Sequence, residues 1–224
     1  MHPPTCELLF TGNEILIGKT LNTNGQWLAQ RLTSLGFRVK RFTVIEDDIN
    51  VISTTLREIL GRKPKLVIIS GGLGPTFDDK TLEGVAKALR CPLHLHNKAL
   101  EMVKEKYMEL HKLGVVSDDL LTEPRKKMAI LPEGATPLPN PVGAAPGVFI
   151  EWEKIKIICL PGVPKELKAI FDYYVVDILK ELVKHLKFVE KEIRVKGVVE
   201  SDLAPITCLL YTSPSPRDLS TSRM

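Results

Sequence analysis

Residues 66–81, LVIISGGLGPTFDDKT, decide the fold of this chain. The first four residues are apolar and three of them are β-branched, which is typical of a strand buried on both faces in a parallel sheet. Gly71, Gly72 and Gly74 then allow a sharp turn and let backbone N–H groups approach a ligand closely. An amphipathic helical pattern begins at Leu82. Strand, glycine loop and helix N-terminus together predict a phosphate site at the carboxyl end of the strand.

Two carboxylates stand at the end of this loop. Asp78 and Asp79 come just before Thr81 and the helix. Carboxylate oxygens are ligands that Mg²⁺ takes beside phosphates, so the pair indicates a divalent metal ion next to the phosphate. The alternative is a tight turn in which an Asp side chain caps the helix.

Strands and helices alternate over the first ninety residues. Strand patterns at 7–11, 38–45 and 66–69 are each followed by helical spacing of leucine, isoleucine and valine. Repeated strand-then-helix order predicts a parallel sheet with helices on both faces. The predicted fold class is therefore α/β, a three-layer doubly wound and mostly parallel sheet.

The second half of the chain is more mixed. Apolar residues at 100, 103, 107 and 110 predict a helix, and the four prolines between 132 and 141 predict an irregular loop. Residues 147–152 and 155–160 then read as a hairpin, and Pro164 suits the first turn of a following helix. A further strand is predicted over 188–199.

Three loops follow predicted strands and are expected to meet at one edge of the sheet. They are residues 12–20, 71–79 and 160–163. In the first, Glu14 is a candidate to bind a hydroxyl or a metal. Asn22 and Asn24 either offer amides to a ligand or cap the next helix.

The composition indicates an ordinary globular protein of 224 residues with 44% hydrophobic residues. A formal net charge of +4, without basic residues interleaved with aromatic ones, argues against nucleic acid as a partner. The sequence lacks an apolar run of the roughly 20 residues that a membrane span needs, and lacks a secretory signal. A membrane partner is therefore not expected. The four cysteines have no CxxC spacing, which favours a reducing, cytoplasmic location.

Four segments carry a resemblance to a known family. The string SGGLGPTFDDKT at 70–81 resembles the signature of the N-terminal domain of the CinA family, within the wider MoaB/Mog group of molybdopterin-binding folds. Residues 12–28, 140–147 and 160–166 resemble further blocks of that family, in its order. The resemblance implies a MoaB/Mog-like domain over residues 5–172. A connecting helix and the start of a small second α/β domain would follow over 173–207.

The resemblance also implies a nucleotide- or molybdopterin-type small-molecule ligand. Metal-dependent hydrolysis of ADP-ribose to AMP and ribose 5-phosphate is the leading expectation, with Asp79 and Asp78 as catalytic residues that hold Mg²⁺, Mn²⁺ or Co²⁺. The ligand-binding residues would be Gly71, Gly72, Gly74, Pro75, Thr76, Thr81, Glu14, Asn22, Asn24, Asn140, Gly143, Pro161 and Gly162.

Two other functions stay open beside hydrolysis. One is a molybdopterin- or nucleotide-binding module without turnover. The other is adenylyl transfer to molybdopterin, which is weaker because Leu73 replaces the Thr of the Mog-type loop. The amidase domain of bacterial CinA proteins does not occur in the sequence, so deamidase activity is not expected. Relatives of this fold form trimers or dimers, which implies a homo-oligomer.

The character of the sequence changes abruptly at Cys208. Residues 208–224 resemble a sequencing-library adapter translated in frame, and we expect this tail to be non-native. A natural disordered tail rich in Ser and Pro is the alternative.

Overall fold

The computed structural model describes residues 3–183, 196–197, 201–202 and 204–205. The chain divides into two compact units, residues 1–188 and 189–224. The fold given below is that of the first unit. The predicted strand over 188–199, apart from residues 196 and 197, and the tail at 208–224 lie outside the described residues. Within the described part, none of the helices is long and apolar enough to cross a membrane.

Strands and helices alternate up to residue 90, as the sequence predicts, and four strands follow one another between residues 130 and 160. In chain order the elements of residues 3–183 are β1 Thr5–Thr11, α1 Asn13–Leu16, α2 Thr23–Ser34, β2 Arg38–Ile45, α3 Ile49–Gly61, β3 Leu66–Ser70, α4 Thr81–Leu89, β4 Leu93–Leu95, α5 Asn97–Lys112, α6 Glu123–Lys127, β5 Ile130–Pro132, β6 Thr136–Leu138, β7 Gly147–Trp152, β8 Ile155–Leu160, α7 Pro164–Ile170, a π-helical turn Phe171–Val175 and α8 Val176–Val183.

The main sheet has six strands in the order β2-β1-β3-β8-β7-β6. Strands β2, β1, β3 and β8 are parallel to one another, whereas β7 and β6 add an antiparallel edge. Strands β4 and β5 form a separate antiparallel pair. The predicted α/β class with a mostly parallel sheet is confirmed, and so is the β7–β8 hairpin.

Strand β3 shows why the fold has three layers. Its side chains alternate between two cores: Leu66 and Ile68 pack with residues of α2, α7 and α8, and Val67 and Ile69 pack with residues of α3, α4 and α5. All four are fully buried. A strand covered on both faces needs apolar side chains at every position, which is the uninterrupted run that the sequence shows.

The topology places a switch point between β1 and β3. From β1 the chain passes through α2 to β2 on one side, and after β3 it leads eventually to β8 on the other side. Loops that leave neighbouring strands in opposite directions open a crevice at the carboxyl ends of those strands. The loops after β1 and β3 are two of the three that the sequence predicts to meet there.

The proline-rich segment is more regular than predicted. Two short strands, β5 and β6, form where the sequence predicts an irregular loop. Pro137 lies in β6, which is an edge strand of the main sheet, and a residue without an N–H is tolerated there. The predicted loop, which begins at residue 132, is therefore wrong at Pro132 and for residues 136–138.

The helical stretch after β8 continues through residue 183. Val175 and Leu179 are fully buried in the same core as Phe10 of β1. The predicted domain boundary at residue 172 thus falls inside the π-helical turn, within a stretch that packs on the main sheet.

The three described cysteines are free thiols. Cys6 in β1 and Cys159 in β8 are fully buried, as their apolar strand contexts predict. Burial raises the pKa of each of these two thiols to about 12. Cys91, which follows α4, is partly exposed.

Candidate functional site

The carboxyl ends of β1, β3 and β8 border one open cleft of about 580 Å³. The loops after all three strands contribute to its walls, as expected for a switch point. Most of the residues predicted to form a site lie on these walls: Glu14, Asn22, Asn24, Gly71, Gly72, Gly74, Pro75, Asp78, Asp79, Pro161 and Gly162. The predicted residues Thr76, Thr81, Asn140 and Gly143 do not line the cleft.

The glycine loop packs directly on the end of β1. Gly71 and Gly72 have φ angles of 113° and 62°, a region that favours glycine. A Cβ on Gly71 would collide with the carbonyl oxygen of Thr11, and one on Gly72 would collide with the hydroxyl of Thr81. Both positions therefore need glycine for conformation and for space.

Thr81 is hydrogen-bonded to the glycine loop. Its side chain is fully buried, and Oγ1 donates to the carbonyl oxygen of Gly71 at 2.8 Å. The same hydroxyl lies 3.2 Å from Thr11 Oγ1. The structure places Thr81 beneath the cleft floor, where it ties β1, the loop and α4 together, and does not bring it to a position where it would touch a ligand.

Two backbone amides of the glycine loop are candidate donors to a ligand. Leu73 and Gly74 both line it, and among the described residues their amides have no hydrogen-bond partner. Successive unpaired N–H groups in a glycine-rich turn form a concave site for an anion. The phosphate site predicted for this loop stays a prediction.

Asp79 stabilises the C-terminal end of the glycine loop through hydrogen bonds with Thr76. Its Oδ2 accepts hydrogen bonds from the backbone N–H of Thr76, at 2.9 Å, and from the hydroxyl of the same residue. Lys127 Nζ donates to the carbonyl oxygens of Thr76 and Asp79 from outside the loop. The alternative in which an Asp caps the helix is wrong, because the residue at the cap of α4 is Lys80 and none of the described side chains caps this helix.

The cleft is lined by acidic side chains. Five carboxylates face it, and none of the described residues on its walls is Lys or Arg. They are Glu14, Asp47, Asp78, Asp79 and Glu166. Among the described residues, no three His, Cys, Asp or Glu side chains are grouped closely enough to hold a metal ion by themselves. Oxygen donors of this kind suit a cation that the ligand's own phosphates also coordinate.

Asp47 is a cleft residue that the sequence analysis missed. It follows β2 and accepts a hydrogen bond from the backbone N–H of Asn13 at 3.1 Å. Burial raises the pKa of its carboxyl, and the charges of Glu14 and Asp78 add to that rise. A carboxylate directly after a predicted parallel strand was the signal that could have found it.

The structure shows the predicted capping role for Asn22, whereas Asn24 lies within α2. Asn22 Oδ1 accepts from the backbone N–H of Gly25 at 2.9 Å and caps α2. Asn24 instead bridges two loops, because its Nδ2 donates to the carbonyl oxygen of Gly162 at 2.7 Å and to Ser70 Oγ at 3.3 Å. Its Oδ1 is buried and has no partner within the described part of the chain.

Asn140 and Gly143 lie beside the cleft and contact a residue that lines it. Asn140 Nδ2 donates to Glu166 Oε2 at 2.7 Å, and Glu166, on α7, faces the cleft. Glu166 lies inside the segment 160–166 that carries the family resemblance, but the spacing of residues gave no sign of its position.

Comparison with known proteins identifies the family of this chain. A family model described as "Probable molybdopterin binding domain" matches residues 7–181. A protein of Pyrococcus horikoshii is 48% identical over 200 residues, which cover 89% of this chain and 77% of the relative. A protein of Sulfurisphaera tokodaii is 45% identical over 199 residues, covering 89% and 73%.

Solved structures show the same fold. The crystal structure of CinA from Thermoplasma acidophilum is 40% identical, with a TM-score of 0.70, and the match covers 80% of this chain and 99% of that one. The molybdopterin biosynthesis enzyme MoaB from Thermus thermophilus is 17% identical, with a TM-score of 0.52, covering 81% and 97%. At that identity the second likeness concerns the fold alone.

Proposed function

This chain belongs to the family of molybdopterin-binding domains of the MoaB/Mog type, as a CinA-like member, and we propose that its cleft binds a small molecule carrying a phosphate or diphosphate group. The ligand would be a molybdopterin-type or nucleotide-type compound. The observation that carries this proposal is the glycine loop: Leu73 and Gly74 line the cleft at the switch point, and their amides have no hydrogen-bond partner among the described residues. Backbone amides bind phosphate oxygens without adding a charged side chain.

We further propose that a divalent cation accompanies the ligand. The carboxylates of the cleft repel phosphate, and the described walls hold no basic side chain that would offset this repulsion. Asp78 is exposed beside the glycine loop, and both hydrogen bonds from Thr76 go to Oδ2 of Asp79. These two residues would hold Mg²⁺, Mn²⁺ or Co²⁺ together with ligand phosphates, and the cation would supply charge neutralisation.

Calorimetric titration of the full chain with inorganic pyrophosphate and with ADP-ribose tests the binding proposal. We expect heat of binding for both in the presence of Mg²⁺ and much weaker binding with a chelator. Asp78→Asn should weaken the Mg²⁺-supported binding by about tenfold, or 1.4 kcal/mol. Asp177→Asn, an exposed carboxylate on α8, removes the same charge away from the cleft and should bind as the wild type does. Failure of the wild type to bind any phosphate ligand would contradict the proposal.

Hydrolysis of ADP-ribose is the second candidate function. The acidic pair beside a phosphate loop favours it, because cleavage of a diphosphate needs charge neutralisation and a positioned water. Water would add across the P–O–P bond, yielding AMP and ribose 5-phosphate. Asp79 and Asp78 would be the catalytic residues.

Release of AMP from ADP-ribose by the full chain, with Mg²⁺, Mn²⁺ or Co²⁺, separates the two candidates. A hydrolase should release AMP with the wild type and with Asp177→Asn, but not with Asp79→Asn. Full turnover by Asp79→Asn would refute the assignment of that residue. Tight binding without AMP release would identify a binding module.

A further inference from the structure

Glu166 on α7 is a half-buried carboxylate that faces the cleft from outside the glycine loop. Two of the residues beside it make room for it and orient it. A Cβ on Gly143 would overlap with the carboxyl group of Glu166, so glycine leaves the space that this side chain fills. Asn140 Nδ2 donates to its Oε2 at 2.7 Å.

The orientation of the Asn140 amide is fixed by its other partners. Its Oδ1 accepts from the backbone N–H groups of Val142 and Gly143 at 3.0 and 2.8 Å. Its Nδ2 also donates to the carbonyl oxygen of Ala145 at 2.8 Å. Both N–H groups and the amide oxygen of Asn140 are thus engaged within the protein. Asn140 acts as a positioning residue for Glu166 and has no free donor for a ligand.

Glu166 has no cation in direct contact among the described residues. Lys106 is the nearby positive charge, but its Nζ donates to Glu109 Oε2 at 2.9 Å and to the carbonyl oxygen of Pro141 at 3.0 Å. Burial therefore raises the pKa of the Glu166 carboxyl, against the lowering effects of Asn140 and Lys106. Partial burial of a carboxylate that accepts from only one neutral donor costs free energy, unless further hydrogen-bond donors contact it.

The cleft also offers surface that suits a part of the ligand without phosphate. Apolar surface from Tyr107, Met128, Ala144 and Ala145 lines the same cleft. A carboxylate repels phosphate and accepts hydrogen bonds only, and its two oxygens match a pair of adjacent donors. The glycine loop and Glu166 thus offer opposite chemistry within one cleft.

We propose that Glu166, positioned by Asn140 and Gly143, binds the paired hydrogen-bond donors at the end of the ligand away from its phosphates. The inference rests on the proposed function and names the recognition element of that site. Two ligand groups carry such a pair: the N–H and amino edge of a pterin and the cis-diol of a ribose. Glu166 would orient the ligand so that its phosphates meet the glycine loop.

Titration calorimetry with Glu166→Gln tests this role. Gln keeps the length of the side chain and still accepts from Asn140 Nδ2, but it turns an N–H₂ toward the ligand's donors. Glu181→Gln on α8, where the residue is exposed, is the matched control. The probes, all with Mg²⁺, are inorganic pyrophosphate, ADP-ribose beside ADP, and a 6-substituted pterin beside the corresponding lumazine, which lacks the 2-amino donor.

We expect Glu166→Gln to bind pyrophosphate within twofold of the wild type and to lose about tenfold or more, at least 1.4 kcal/mol, on the donor-bearing ligand. Loss confined to the pterin, with lumazine weak for the wild type as well, would identify the pterin edge. Loss on ADP-ribose with ADP unchanged would identify the hydroxyls of the terminal ribose, which ADP lacks. Equal loss on ADP-ribose and ADP, with pyrophosphate unchanged, would identify the cis-diol of the adenosine ribose.

Two results would overturn the inference. One is unchanged affinity of Glu166→Gln for both ADP-ribose and the pterin. The other is an equal loss for pyrophosphate and the donor-bearing ligands, which would mean that the substitution only disturbs the structure. Absence of pyrophosphate binding by the wild type is a different result, because it would refute the proposed function itself.

Discussion

Replacing Gly71 by Ala tests how tightly the glycine loop is packed on β1. The added Cβ would meet the backbone carbonyl of Thr11 and would lie 2.7 Å from Thr11 Oγ1. The carbonyl belongs to a strand in the centre of the sheet and has little freedom to move. The φ of 113° at Gly71 adds backbone strain for any residue with a side chain.

The expected cost has two parts. Strain in a sparsely populated backbone region costs about 1–3 kcal/mol. Forcing extra atoms into a packed site costs about 1–3 kcal/mol more. Gly18 supplies a matched control, because its φ is 72° but none of the described residues lies within 4 Å of an added Cβ. Gly18→Ala should therefore show the strain alone, about 1–2 kcal/mol.

Thermal unfolding of the two variants measures the difference. An excess cost of about 2 kcal/mol for Gly71→Ala corresponds to a Tm lower by about 4–8 °C for a domain of this size. Gly71→Ala should also lose pyrophosphate binding, because the loop amides would be displaced, whereas Gly18→Ala should keep it. Equal Tm values for the two variants would refute the packing of Gly71 against Thr11, since that contact is what distinguishes them.

Three further predictions follow from buried groups. Thr81→Val should lower the free energy of unfolding in urea by about 1–3 kcal/mol, because it leaves the buried carbonyl oxygen of Gly71 without its donor. Thr54→Val, at an exposed position, should change stability little. Equal effects of the two substitutions would count against the hydrogen bond of Thr81. Glu166→Gln should become more stable relative to the wild type as pH rises from about 4.5 to 7. The folded wild type, in which the pKa of Glu166 is raised, binds the Glu166 proton more tightly than the unfolded chain does, so the wild type loses stability as that proton leaves. A stability difference that is independent of pH in thermal melts would contradict this. Iodoacetamide should modify Cys91 before Cys6 and Cys159 in the native protein, as followed by peptide mass spectrometry, and equal rates would contradict the burial of the strand thiols.

The central strands could be predicted from sequence because their environment leaves few choices. Strand β3 is covered on both faces, so every position must be apolar, and the glycines that follow mark its end. Strand β2, at the edge of the sheet, runs from Arg38 to Ile45 as predicted, although much of it is exposed. Its β-branched residues and the Gly36 before it were sufficient signals.

Strand β6 and the position of Glu166 depend on contacts between residues that are distant in sequence. Strand β6 is three residues long and contains Pro137, and it exists because β7 pairs with it. Local propensity therefore argued against it. Local sequence does not indicate the position of Glu166 either, because its carboxylate is oriented by a hydrogen bond from Asn140, 26 residues earlier in the chain. Sequence similarity marked Asn140 and Gly143, but only their packing shows that both serve the Glu166 carboxylate.

The charge of the cleft bears on how the two candidate functions are to be separated. Two like unit charges 8 Å apart repel by about 2 kcal/mol at an effective dielectric constant of about 20. Five carboxylates around a diphosphate would therefore offset much of the roughly 8 kcal/mol that micromolar binding requires. A divalent cation removes this penalty whether or not the ligand is cleaved. Metal-dependent binding is thus expected of a binding module and of a hydrolase alike, and only AMP release that is lost in Asp79→Asn would favour the hydrolase.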